Sequence, residues 1–152
     1  MQNFKKSGFT MIELVFVIVI LGVLAAVAIS KFAATRTDDE ISKGRADISS
    51  IRSGIVTERQ ARLIQGDSLY ISGILLNAGG AFGGVLAYPI TSSTKSGHWA
   101  TVGADTNASA TYIYTIADIP VTFTYTRATG TFTCSKVIGS ANAKDYCAKL
   151  TD

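Results

Sequence analysis

Residues 11–29 read Met-Ile-Glu-Leu-Val-Phe-Val-Ile-Val-Ile-Leu-Gly-Val-Leu-Ala-Ala-Val-Ala-Ile, and the next charge after Glu13 is Lys31. Counted from Phe9, the run reaches 21 residues, close to the roughly 20 that carry a helix across a bilayer. Its single carboxylate is out of place there. A charge at the centre of a membrane segment costs roughly 2.5–3.5 kcal/mol on insertion scales, and such groups are normally paired. The apolar run itself offers Glu13 no partner.

Beyond Lys31 the sequence turns polar but stays periodic. Ile41, Ile48, Ile51, Ile55 and Leu63 or Ile64 fall at spacings that share one helical face. Arg45, Arg52 and Arg59 repeat every seven residues on another face. That stripe reads as a solvated face, or as a contact for acidic groups such as Asp38, Asp39 and Glu40 of another subunit. No proline interrupts residues 9–63, and Gly22, Gly44 and Gly54 are the weak points. One helix over that span would be about 80 Å long. That is too long for a small globular domain, so the helix must project or pack against copies of itself.

Past residue 65 the pattern changes again. Residues 77–84 and 91–97 are rich in glycine or serine and read as loops. Short alternating runs follow at 98–103, 111–116, 121–127 and 131–135, the last two joined by the turn Ala128-Thr129-Gly130. Such alternation predicts an antiparallel sheet with one packed face and one wet face. The apolar stripe of residues 41–64 is the only cover available. Cys134 and Cys147 follow an export-type segment and so reach an oxidising compartment, where a disulfide is expected. Its loop of about 14 residues gives about 3 kcal/mol in the chain-entropy picture. It would staple an irregular C-terminal segment to the last strand. The predicted class is α+β, a long N-terminal helix with a small antiparallel sheet packed on its C-terminal half.

Composition removes several functions. Net charge is +3, and without Lys5 and Lys6 the balance is 12 basic against 11 acidic residues, which argues against a nucleic-acid binder. The only histidine, His98, lies beside Trp99 in a predicted strand, and paired cysteines leave no thiol nucleophile. Residues 77–84 lack the G-K-[ST] ending of a phosphate loop. Zinc would need more Cys and His. No enzyme activity and no cofactor are expected.

Two readings compete for the N-terminus. In the first, Lys5 and Lys6 open an ordinary secretory signal cut after Ala26-Val27-Ala28, releasing a secreted β-domain that acts as a binding module. That leaves Glu13 and the unbroken passage into the amphipathic helix without explanation. In the second, Lys5-Lys6-Ser7-Gly8-Phe9-Thr10-Met11-Ile12-Glu13-Leu14 resembles the processing motif of type IV pilins and type II secretion pseudopilins. The resemblance implies a leader of residues 1–8, cleavage after Gly8 by a prepilin peptidase, and N-methylation of the new N-terminal Phe9. It implies that Glu13 pairs with the Phe9 amine of a neighbouring subunit. It also implies a lollipop fold: residues 9–29 as the transmembrane and filament-core half of the helix, 30–64 as the amphipathic half, and 65–152 as the β-sheet head with a C-terminal disulfide loop.

On this resemblance the chain is a structural subunit of a type IV pilus-like filament, with a type II secretion pseudopilin as the second reading. The implied partners are copies of itself, the peptidase and an inner-membrane assembly platform. Nucleic acid would be met only indirectly, through uptake. The precursor would sit in a bacterial inner membrane and the filament in the periplasm or outside the cell. Many family members carry a proline just past the apolar stretch, where this chain has Ile29-Ser30-Lys31. Gly22 is then the expected place for local unwinding when subunits pack. The family also brings calcium into view, with Asp105, Asn107 and Asp118 as candidate ligands that form no recognisable loop. Asn107-Ala108-Ser109 is an N-x-S acceptor that marks a surface loop and a candidate glycan at Asn107.

Overall fold

A computed structural model describes residues 8–135 and 139–152; Lys5, Lys6 and the rest of the expected leader before Gly8 lie outside the described residues. The elements are α1 (Met11–Ile64), α2 (Gly73–Leu76), β1 (Trp99–Thr101), β2 (Ser109–Ile116), β3 (Ile119–Thr126), β4 (Thr131–Cys134) and α3 (Ala141–Thr151). The chain divides into two compact units, Met1–Arg36 and Thr37–Asp152.

The first unit is the apolar part of α1. Neither proline nor a second polar cluster breaks it, and the helix passes Gly22 without interruption. A Cβ at Gly22 would meet nothing within 4 Å.

In the second unit, the four strands form an antiparallel sheet in the order β1-β2-β3-β4. Alternation sets its two faces. Ala110, Tyr112, Tyr114 and Ile116 of β2 and Val121, Phe123 and Tyr125 of β3 are buried, while Pro120, Thr122 and Thr124 face water. Tyr112 pairs with Phe123 and Tyr114 with Val121. A two-residue turn joins β2 to β3, with Ala117 at φ 47° and Asp118 at φ 63°. Left-handed backbone is costly for alanine. Hydrogen bonds hold it there: Ala117 N–H donates to Glu40 Oε2 at 2.9 Å and Asp118 N–H to Ser96 Oγ at 2.8 Å.

The part of α1 in this unit buries Glu40, Gly44, Ile48, Ile51 and Ile55, a single helical face. The expected continuation to Leu63 and Ile64 does not hold, since both are exposed. The chain turns at Gly66, where φ is 88°, and Ile71 enters the core in their place. Gly44 and Gly54 are contact points rather than weak points. A Cβ at Gly44 would lie 2.6 Å from Tyr114 Cε1 and 2.7 Å from Leu150 Cδ2, and one at Gly54 would lie 2.5 Å from the Val85 carbonyl oxygen. Tyr114 cannot step aside, because its hydroxyl donates to the Glu40 carbonyl at 2.6 Å. Gly44→Ala should therefore destabilise the unit by about 1–3 kcal/mol, against the roughly 1 kcal/mol gain that alanine brings to a free helix position. Thermal unfolding of Gly44→Ala beside Gly22→Ala, which meets no neighbour, measures the difference.

Three further expectations need correction. The C-terminal segment is helical, not irregular: Ser140 caps α3 by accepting from Ala143 N–H, and Ala143, Cys147 and Leu150 form its buried face. The expected bridge is present, with Cys134 and Cys147 sulfurs 1.96 Å apart, tying α3 to β4. The arginine stripe is more than a solvated face: Arg45 is exposed and Arg52 and Arg59 are half-buried, and all three have partners in their own chain. Arg45 donates to the Lys149 carbonyl near the C-terminus of α3, Arg52 donates twice to the Phe132 carbonyl at 3.2 and 3.0 Å, and Arg59 lies 3.9 Å over the Tyr70 ring. The stripe fastens α1 to its own sheet and C-terminal helix. Lastly, α2 lies inside the predicted head with no warning from periodicity, capped by Ser72.

Candidate processing and assembly site

Gly8, Phe9 and Thr10 precede α1 and are exposed, so the Gly8-Phe9 bond lies in accessible, non-helical chain. Thr10 is the cap. Glu13 N–H donates to Thr10 Oγ1 at 3.3 Å, and Thr10 N–H and Oγ1 reach Glu13 Oε2 at 3.5 and 3.4 Å. This is a capping box, the Thr-x-x-Glu arrangement that satisfies orphan donors at a helix start. Thr10 thus gives Glu13 a partner in its own chain, just outside the apolar run, which the sequence reading missed. The three distances are at the long end for hydrogen bonds. The carboxylate is held loosely, remains exposed, and is favoured at the positive end of the helix dipole.

Behind it, Met11–Ile29 is long and apolar enough to cross a membrane, and none of its residues is buried. Burying one such side chain gives about 1.5–3 kcal/mol. A row of them demands lipid or other helices as cover.

The remaining expected residues fall elsewhere. Cys134 and Cys147 bind β4 to α3. Asn107 is exposed in the loop before β2. Asp105 lies in that same loop, its Oδ2 accepting from Asn77 Nδ2 at 2.7 Å. Asp118 lies beyond the other end of β2, its Oδ1 accepting from Ser96 Oγ at 3.1 Å. An eight-residue strand separates them by more than about 20 Å, so the three candidate calcium ligands do not converge. Among the described residues no three His, Cys, Asp or Glu side chains gather into a metal-holding group. His98 is exposed, its ring Nδ1 3.0 Å from the Ser96 carbonyl.

The shifted groups are structural. Burial raises the Tyr112 and Tyr114 phenols above their usual range, with Asp105 adding to the first and Asp47 and Glu40 to the second. Burial pushes Tyr125 up to about 12. Held neutral, the three hydroxyls donate to Asn77 Oδ1, the Glu40 carbonyl and the Ile71 carbonyl at 2.8, 2.6 and 2.7 Å.

Comparison with known proteins places the N-terminus. Residues 3–29 match the prokaryotic N-terminal methylation motif. Over 153 aligned positions the chain is 29% identical to the type IV major fimbrial protein FimA of Dichelobacter nodosus, covering 91% of this chain and 92% of that protein. The chain is similar to a type IV pilin along most of its length and carries the methylation motif at its N-terminus. A second relative, the type II secretion system core protein G of Pseudomonas aeruginosa, is 34% identical over 55 residues, which cover 36% of this chain and 39% of that protein. No solved structure matches the chain significantly. The α+β architecture, with its long, initially apolar helix and open antiparallel sheet, is that of a pilin-like subunit.

Proposed function

We propose that this chain is the precursor of a structural subunit of a type IV pilus-like filament. A prepilin peptidase cuts after Gly8, and Phe9 becomes the methylated N-terminus. Residues 9–29 hold the subunit in the inner membrane with Lys5 and Lys6 on the cytoplasmic side, then form the filament core. Residues 30–64 and 65–152 are the amphipathic half of the helix and the head. In the filament, Glu13 meets the Phe9 ammonium of the neighbouring subunit.

The observation that carries this reading is the site itself: an accessible Gly8-Phe9 bond, then one carboxylate at the head of an otherwise uncharged, wholly exposed apolar helix. A cut after Ala28 would fall inside α1, which weighs against a secreted β-domain. The likeness to a fimbrial protein covers 91% of the chain and that to the secretion protein 36%, which favours the pilus over the secretion machine. Intact mass and N-terminal sequencing of the protein from its own envelope test the reading. A chain starting at Phe9 with about 14 Da added is the expected result; a chain starting at Ile29 would overturn it.

A further inference from the structure

The second unit carries one aromatic side chain that its own fold does not use. Tyr88 is 87% exposed, while Tyr112, Tyr114 and Tyr125 are buried and Tyr70 lies under Arg59. The segment that presents it is firmly held. Ile90 N–H donates to the Ala81 carbonyl at 2.9 Å and Leu86 N–H to the Phe82 carbonyl at 2.9 Å. Pro89 packs so closely on Gly80 that a Cβ there would lie 2.9 Å from Pro89 Cβ. Tyr88 is a knob on a stiff mount, so little order is lost when it binds.

A recess of about 250 Å³ on the same unit is lined by Leu69, Asn107, Ala108, Arg127 and Ala128. Leu69 and the two alanines give it apolar surface. Arg127 Nε donates to the Tyr70 carbonyl at 2.9 Å, which fixes the guanidinium; such a plane stacks well on an aromatic face. The Asn107 amide supplies both a donor and an acceptor suited to a phenol hydroxyl. Tyr88 is not among the residues lining the recess. Knob and recess are different patches of one chain, so their union across two copies is a heterologous contact, the kind that propagates into an open helical array.

We propose that Tyr88 of one subunit seats in the recess formed by Leu69, Asn107, Ala108, Arg127 and Ala128 of a second copy of this chain, as a contact between heads in the filament. The proposal rests on the filament reading above and names a surface that the N-terminal motif does not address.

The test uses the full chain in its own envelope, with Tyr88→p-benzoylphenylalanine, a photoreactive ring of similar shape. Sheared filaments are irradiated and the joined peptides mapped by mass spectrometry. The expected result is a ladder of covalent dimers, trimers and longer species, joined from position 88 to Leu69, Asn107, Ala108, Arg127 or Ala128. Ala108→Trp fills the recess at an exposed position, and should cut that joining by about tenfold or more, as for loss of a central aromatic anchor. If Ala108→Trp subunits do not assemble alone, filaments mixed with isotope-labelled unsubstituted copies must show joining to the unsubstituted recess only. Normal filaments with no joining, or joining elsewhere, would overturn the contact while leaving the filament reading intact. Absence of filaments from the unsubstituted chain would overturn both.

Discussion

Replacing Glu13 with glutamine is expected to leave the chain in the membrane and cut after Gly8, and to strip the cell of filaments. Glutamine keeps the shape and the reach of the capping box, in which Glu and Gln serve alike. It removes only the charge. Without a carboxylate to desolvate, membrane residence becomes easier by up to roughly 2.5–3.5 kcal/mol. In the filament, each Phe9 ammonium would then sit in a helix bundle with no counter-charge, a loss of about 3–5 kcal/mol. That corresponds to roughly a hundredfold to several-thousandfold weaker subunit addition. The measurement is the sheared-filament yield set against membrane content, with N-terminal mass as the check on processing. Glu13→Ala removes the charge and the side-chain half of the capping box, leaving only the Thr10 Oγ1 cap on the residue-13 N–H. If Glu13→Gln filaments were as abundant as wild type and only Glu13→Ala lost them, the carboxylate would be a helix cap and nothing more.

The capping box also shows where sequence reading reached and where it stopped. A missing proline and a run of isoleucines at helical spacing made α1 legible, because both act through the local backbone. The sheet was legible for the same reason: alternation along 111–116 and 121–127 is a property of each strand alone. Glu13 was read as a misfit in lipid, and Thr10, three residues before it, went unweighed. Gly44 was misjudged because its value lies in Tyr114 and Leu150, residues that only tertiary structure brings to it. The own-chain partners of the arginine stripe were hidden likewise, since its acceptors are carbonyl oxygens of Phe132 and Lys149. Backbone acceptors leave no mark in a sequence. The helix α3 is short and weakly patterned, and its disulfide and Leu150 anchor it as much as propensity does.

The second large effect is expected at Trp99. Its ring is fully buried, with centroids 4.8 Å from Tyr114, 5.1 Å from Phe123, 5.5 Å from Phe82 and 5.8 Å from Phe132. Its Nε1–H donates to Asp47 Oδ2 at 3.0 Å, joining β1 to α1. Trp99→Ala opens a cavity among four aromatic rings and leaves the Asp47 carboxylate without that donor. Truncation of a buried tryptophan costs about 3–5 kcal/mol, and the orphaned acceptor adds to it. For a unit of this size the unfolding midpoint should fall by about 10–20 °C, followed by circular dichroism because the chain has one tryptophan. Trp99→Phe keeps most of the ring and loses only the donor, and should cost about 1–3 kcal/mol. No core residue of the second unit lies before Glu40, whereas Gly8, Phe9 and Glu13 all lie within the first. Trp99→Ala should therefore be cut after Gly8 at the normal rate and then accumulate poorly, its head unfolding and being degraded. Slowed cutting of Trp99→Ala would mean instead that the peptidase senses the folded head, and that processing is not confined to the N-terminal motif.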